Sequence, residues 1–230
     1  MRETTIIIKT FERKRSLWRL LESISEHYAT VPIIIVDDSR ANYKKETLLR
    51  FPHLDLKYIV SDFDIGLSKG RNILLGEINT EYFLLCDDDF EFDSRTNLKR
   101  GLDLLIAHDL DLLGGVVYNV FKIDTLYSFL WALKKPKRFI DVYNGKEEIS
   151  VYNGMFTVDS GRHVELTICK NYAAYLDDII YRTDLVSNFF IAKTESIRAV
   201  GGWQPEHVKV GEHQAFFLRL KLQGAKVAFT

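Results

Sequence analysis

The sequence predicts an α/β fold, a mostly parallel sheet flanked by helices, and three features carry that prediction. Short unbroken Val/Ile/Leu runs alternate with segments of helical apolar spacing, as they do in sheets buried on both faces. Two of the runs end in consecutive acids, "VPIIIVDDS" and "YFLLCDDD", and open α/β sheets bind ligands beyond the carboxyl ends of their strands. The length of 230 residues suits one domain with a sizeable core.

Taken in order, "TTIIIKTF" is a β-branched run with the composition of a buried strand. "RKRSLWRLLESISEHY" sets Leu17, Leu20, Leu21 and Ile24 on one helical face. "VPIIIVDDS" is a second strand, "KETLLRF" a short helix and "LDLKYIV" a third strand. "GLSKGRNILLGEI" is a glycine-containing loop leading into a helix, and "EYFLLCDDD" a fourth strand. "RTNLKRGLDLLIAHDL" is a helix with its cap at Asp93-Ser94, followed by the apolar "DLLGGVVYNV". Beyond Tyr118 the rhythm changes. "YSFLWALKKPKRF" mixes aromatics with Lys134, Lys135, Lys137 and Arg138, and the next segment reads as short antiparallel strands with glycine turns. It holds two copies of "VYNG", at Val142 and Val151, too few for a repeat architecture. Helix and strand return in "NFFIAKTESIRAVGGW" and "EHQAFFLRLKLQGAKVAF".

Composition is ordinary for a globular chain, at 47% hydrophobic and 27% charged residues. A formal net charge of -1 provides no global basic field for nucleic acid. The two cysteines, Cys86 and Cys169, cannot form a metal-binding quartet, and the place of Cys86 in a core strand favours a reduced thiol. The N-terminus lacks a signal-peptide pattern and no apolar stretch approaches a membrane span. A soluble, cytoplasmic chain, with membrane association open, is therefore expected; a Golgi-lumen protein whose anchor was trimmed is the alternative.

Four constellations offer chemistry. Asp87, Asp88 and Asp89 repel one another unless a cation compensates. A hard divalent ion with a diphosphate would do so, whereas the competing reading is a solvated acidic turn. Asp37 and Asp38 close the second strand, where a carboxylate accepts from a ribose hydroxyl or base N–H, or else caps a helix. In "DIGLSKGRN", Gly66 and Gly70 permit close backbone approach and Arg71 reads as a phosphate partner or as a surface residue; this is not P-loop spacing. Glu212, followed by His213, is either a general base toward a hydroxyl or a first-turn acid favoured by the helix dipole. Trp203 is either a platform for a sugar ring or a core residue.

The order of these pieces resembles the nucleotide-sugar-dependent glycosyltransferases of the GT-A (Rossmann-like) fold. Among them it is similar to the ganglioside-type β-1,4-N-acetylgalactosaminyltransferases and their bacterial family 2-like relatives. The matching segments are "IIIKTFERKRSLWRLLESI", "VPIIIVDDS", "GLSKGRN", "YFLLCDDDFEF", "LDLLGGVVYN", "LVSNFFIAKTESIRAVGGW" and "GEHQAFFLRLK", most of the chain apart from roughly Phe121 to Asp184. The resemblance implies one GT-A domain over residues 1–230. Residues 1–117 would bind the nucleotide sugar, and residues 118–230, with a small antiparallel segment, would face the acceptor.

It also implies roles. Asp87 would lie nearest the ribose, Asp89 would be the ligand of Mn²⁺ or Mg²⁺, and Asp88 would be close by. Thr10 and Asp38 would border the nucleoside with Arg13 as a neighbour, and Arg71 would face the nucleotide. Glu212 would be the general base of an inverting transfer, and Trp203, Glu212 and His213 would line the acceptor site. The donor would be a UDP-sugar carrying a hexose or N-acetylhexosamine, with N-acetylgalactosamine favoured, and the acceptor a saccharide or glycolipid hydroxyl. Two departures stand out. In vertebrate members the residue matching Glu212 is not securely acidic, so the base assignment comes from the broader fold. Similar enzymes also often take a further metal ligand, commonly histidine, from just after the strand matching "KVAFT"; here either a longer chain supplies it or the site does without.

Two rivals remain at this point. A nucleotidyltransferase of similar fold would carry a glycine-rich basic phosphate loop near its N-terminus, and "KTFERKRS" has the charge without the glycine. A glycan-binding domain that has lost catalysis would not need all three aspartates and Glu212. The basic aromatic segment from Tyr127 to Phe139 offers a peripheral membrane contact, an acceptor-side lid or plain packing.

Overall fold

In a computed structural model, residues 3–120, 147–150, 153–159, 164–169, 180–205 and 211–230 are described. The segment from Tyr127 to Phe139 and both "VYNG" copies fall wholly or partly outside them. Strands β1 (Thr4–Thr10), β2 (Ile33–Asp37), β3 (Leu56–Val60) and β4 (Tyr82–Asp87) alternate with helices α1 (Lys14–Tyr28), α2 (Lys44–Arg50) and α3 (Leu67–Glu77). Helix α4 (Leu98–Ala107) then leads into β5 (Leu112–Gly114) and β6 (Val117–Val120). Four short strands follow, β7 (Glu147–Ser150), β8 (Asn153–Val158), β9 (Val164–Cys169) and β10 (Tyr181–Arg182). The described chain closes with β11 (Phe189–Lys193), α5 (Thr194–Ala199), α6 (Glu212–Leu222) and β12 (Val227–Phe229).

Eight strands form the main sheet in the order β10-β12-β5-β11-β4-β1-β2-β3. Strands β1 to β4 pair in parallel, whereas β11 lies antiparallel between β4 and β5. The pairs β6–β7 and β8–β9 are separate two-stranded antiparallel sheets. The expected mostly parallel α/β sheet with a small antiparallel part is what forms.

Each interior strand is apolar on both faces because helices cover both. Ile6, Ile8, Ile33, Ile35 and Leu84 pack with Leu17, Leu21 and Ile24 of α1 and Leu102 and Leu105 of α4. Their neighbours Ile7, Ile34, Val36, Phe83 and Leu85 pack on the other face with Leu74 of α3, Ile197 of α5 and Phe216, Phe217 and Leu220 of α6. Strict alternation along β1, with Ile6, Ile7 and Ile8 all at 0% exposure, is the period-2 pleat read on two sides.

One local expectation needs correction. Helix α4 is capped by Asn97, whose side chain accepts from Arg100 N–H at 2.9 Å, not by Asp93-Ser94. The Asp93 carboxylate is instead taken up by the backbone and guanidinium of Arg95.

The chain passes from β1 outward to β2 and β3, then crosses back to lay β4 on the opposite side of β1. That reversal creates a crevice at the carboxyl ends of β1 and β4, the place where α/β sheets receive ligands. Register sets Thr10 opposite Asp37 and Lys9 opposite Asp87, so the acids gather there.

Candidate active site

The three aspartates diverge as soon as β4 ends. Asp88 turns inward and is 5% exposed. It accepts from Thr10 Oγ1 at 2.7 Å and from Arg13 Nη1 at 3.2 Å. Burial pushes its carboxyl above the usual value, opposed by the Thr10 hydrogen bond and the Arg13 charge. Asp89 turns outward, with its side chain 49% exposed, and pairs with the same Arg13 Nη1 at 2.9 Å. Burial would lower Arg13, but the charges of Asp88 and Asp89 outweigh it and the guanidinium holds its proton more tightly than usual. Arg13 is set in this place by Glu12, a non-glycine residue at φ 56. Glu12 is pinned by its N–H to Ser39 Oγ and by its carboxylate to Arg40 N–H.

Asp87 stands between two donors. Arg71 Nη2 reaches one carboxylate oxygen at 3.1 Å and Asn188 Nδ2 the other at 3.0 Å. Arg71 is 1% exposed and its guanidinium lies 5.8 Å from the Trp203 ring. Arg71 is thus turned inward, where a buried guanidinium spends its charge on a carboxylate nearby. What it meets is Asp87.

Asp38 is likewise internal, at 0% exposure. Lys9 Nζ lies 2.6 Å from it and the N–H of Gly66 donates to it at 3.2 Å. Gly66, at φ 86, takes a backbone conformation that other residues rarely adopt. At Gly70 a Cβ would come within 2.8 Å of the Lys9 stem, so that glycine gives the lysine its path to Asp38. Asp37 is used up by Ser39 N–H, Tyr43 N–H and the Tyr58 hydroxyl. Thr10 and Asp38 thus brace the crevice floor and do not project into it.

Glu212 opens α6 and is 8% exposed, after Gly211 at φ 84. His213 borders a cavity of about 240 Å³ shared with Asp87, Asn119, Ser187 and Asn188. Burial first, then the charge of Arg71, lowers its pKa to about 4, so the ring is neutral at physiological pH. The shared cavity brings His213 to Asp87. Trp203 is not available to a sugar: it is 1% exposed and stacks on Phe216 with centroids 4.4 Å apart. Asn72 holds its backbone N–H at 2.8 Å and carbonyl at 2.7 Å. The core reading of Trp203 is the one that stands. Trp203→Ala is expected to cost about 3–5 kcal/mol of stability, as for other buried aromatics, read from the urea midpoint.

Sequence reasoning missed four participants. Asn188 and Lys9 gave no motif. Phe11 and Phe63 form a ring pair with centroids 5.6 Å apart at the strand ends, with Arg40 4.6 Å above Phe63; their signal was a lone exposed aromatic after a strand, Phe63 being 50% exposed.

Among the described residues, no group of three or more His, Cys, Asp or Glu side chains converges on one point. A protein-only metal cage is therefore absent from that set. The half-exposed Asp89 carboxylate fits instead a hard divalent ion that keeps waters and substrate oxygens as most of its ligands.

A larger cavity of about 910 Å³ runs from Asp89 and Phe90 past β5 and β6 to Thr230. Among the described residues no helix is long and apolar enough to cross a membrane, and Cys86 is free and buried.

Comparison with known proteins fits this geometry. The profile of Glycosyl transferase family 2 matches residues 5–161. The chain is 33% identical over 214 residues to "Beta-1,4 N-acetylgalactosaminyltransferase 1" of Mus musculus, covering 93% of this chain and 35% of that protein. It is 29% identical over 215 residues to "Beta-1,4 N-acetylgalactosaminyltransferase 2" of the same species, with the same shares. The chain thus spans about a third of the length of the curated relatives it matches. A solved structure of S. aureus TarS 1-349 in complex with UDP superposes with TM-score 0.64 at 16% identity, over 100% of this chain and 58% of that one. The mannosyltransferase PcManGT from Pyrobaculum calidifontis, solved with GDP-Man and Mn²⁺, gives 0.61 at 14%, over 100% and 57%. These two likenesses show a common fold, the GT-A arrangement.

Proposed function

The chain belongs to glycosyl transferase family 2, and from that premise we propose that it is an inverting, metal-dependent transferase. It moves a hexose or N-acetylhexosamine, N-acetylgalactosamine being favoured, from a UDP-sugar to a hydroxyl of a glycan or glycolipid. The observation that carries this reading is the split of Asp87, Asp88 and Asp89 at the β1–β4 crevice, one carboxylate open to solvent, one clamped and one buried. The relatives named as N-acetylgalactosaminyltransferases support the sugar, and the structural neighbour holding UDP supports the nucleotide. Family membership sets aside the nucleotidyltransferase reading.

In this mechanism the Phe11–Phe63 pair receives the base, since aromatic faces stack on nucleobases, and Asp87 accepts from the ribose. Asp89 would hold a divalent ion, which would supply neutralisation of the charge that develops on the leaving group. Thr10 and Arg13 hold Asp88 in the floor beneath. Glu212 takes the proton of the acceptor hydroxyl, whose oxygen forms a bond to the anomeric carbon as the carbon–oxygen bond to UDP breaks. Attack opposite the leaving group inverts the anomeric centre, and no nucleophilic side chain is involved. Residues 1–117 carry most of the donor site, and residues 118–230 most of the acceptor site.

The test is UDP release from UDP-N-acetylgalactosamine, with UDP-galactose and UDP-N-acetylglucosamine beside it, across a panel of saccharide and glycolipid acceptors with and without Mn²⁺. Release that requires both acceptor and metal is expected. UDP binding without release on any acceptor favours the non-catalytic glycan-binding alternative.

A further inference from the structure

We propose that Asn188 is a positioning residue of the nucleotide site: with Arg71 it fixes the Asp87 carboxylate in one orientation, and through it the recognition of the UDP ribose. This rests on the donor reading above. The geometry is a clamp on both oxygens, Arg71 Nη2 on Oδ1 at 3.1 Å and Asn188 Nδ2 on Oδ2 at 3.0 Å. An ionised carboxylate has about four acceptor positions and donates nothing, so the clamp leaves room for ribose hydroxyls while removing the freedom of the side chain to rotate. The amide of Asn188 can face Asp87 only through its nitrogen, because its oxygen would meet a second acceptor.

The antiparallel strand β11 makes this possible. Phe189 pairs with Cys86, so the residue before β11 falls beside the residue after Cys86. A parallel strand would bring its carboxyl end to this edge instead. Asn188 thus comes to Asp87 from 101 residues away.

Two further observations support the clamp. Among the described residues, Asn188 Oδ1 and Arg71 Nη1 are both buried without a hydrogen-bond partner. Unpaired buried polar atoms are costly and each calls for a reason; here both belong to the two side chains that hold Asp87. Asn188 also borders the 240 Å³ cavity with Asp87 and His213, so it sits at the site and not behind it. Asp87 itself keeps 35% of its side chain exposed, open to a ligand after both clamps are made.

The experiment is calorimetry with UDP and with 2′-deoxy- and 3′-deoxy-UDP, in Mn²⁺, on the wild type, Asn188→Ala, Asn188→Asp and Asp87→Ala. Wild type should prefer UDP over at least one deoxy analogue by about tenfold, the worth of one charge-assisted hydrogen bond. Asp87→Ala should erase that preference. Asn188→Ala should shrink it to about threefold or less. Asn188→Asp, although isosteric, should do at least as much damage, because two facing carboxylates repel. An undiminished UDP-to-deoxy ratio in both Asn188 variants overturns the proposal, whatever happens to their thermal stability. If Asn188→Ala does not fold, the isosteric Asn188→Asp alone decides by the same ratio. Failure of the wild type to bind UDP would instead overturn the donor reading itself, and is told apart by the first titration.

Discussion

Glu212→Gln is expected to leave UDP binding intact and to slow transfer by about 10²–10⁴-fold, the range that a positioned general base contributes. The change keeps the shape of a side chain that is 8% exposed and opens α6 after Gly211, so the first turn should form as before. What it removes is the carboxylate in the first turn of that helix. His213, the next residue, offers little substitution. Its proton affinity is depressed to about 4 by burial and then by the Arg71 charge, and a base that weak takes a proton from a hydroxyl poorly at neutral pH. Single-turnover transfer beside a UDP titration checks the split. Unchanged turnover in Glu212→Gln would remove Glu212 from the chemistry and leave it as a helix-start acid.

The reach of the sequence is clearest where structure needs only short-range pattern. The runs "TIIIK", "IIIVD" and "YFLLCD" specify strands buried on two faces, and the acids after them specify the edge of the sheet that carries chemistry. The direction of "FFIAK" is not written in its own composition. It becomes antiparallel because it must fit between β4 and β5, and that pairing alone brings Asn188 to Asp87. For Arg71 and Trp203 the local sequence leaves both a ligand-facing and another reading open, and only the resemblance puts them on the ligand side. Helix α3 turns Arg71 inward, and Phe216 with Asn72 closes over Trp203. Lys9 escaped notice for a related reason: a lysine inside an apolar strand reads as an edge, whereas here its charge meets Asp38 across the crevice floor. Contacts of this kind depend on tertiary register, which one-dimensional periodicity does not contain.

Asp89→Ala should abolish the stimulation of UDP binding by Mn²⁺, while Arg13→Ala should strengthen Mn²⁺ binding to the nucleotide-free protein. Both expectations follow from one contact. Arg13 Nη1 lies 2.9 Å from Asp89 and 3.2 Å from Asp88, so the carboxylate assigned to the metal already has a cation beside it. A dipositive ion at Asp89 must displace or repel that guanidinium, which is 55% exposed and has solvent to move into. Asp88 is held from its other side by Thr10 at 2.7 Å and stays in the floor, which leaves Asp89 as the movable partner. Removing Arg13 relieves the competition, and a gain of about three- to tenfold in Mn²⁺ affinity is expected for the loss of one nearby positive charge at an exposed site. Mn²⁺ titration followed by electron paramagnetic resonance, without nucleotide, measures it directly, and UDP calorimetry with and without Mn²⁺ measures the Asp89 effect. Equal, metal-independent UDP binding by wild type and Asp89→Ala would move the metal away from Asp89. Weaker Mn²⁺ binding in Arg13→Ala would show that the arginine orders the carboxylates for the ion and does not compete with it.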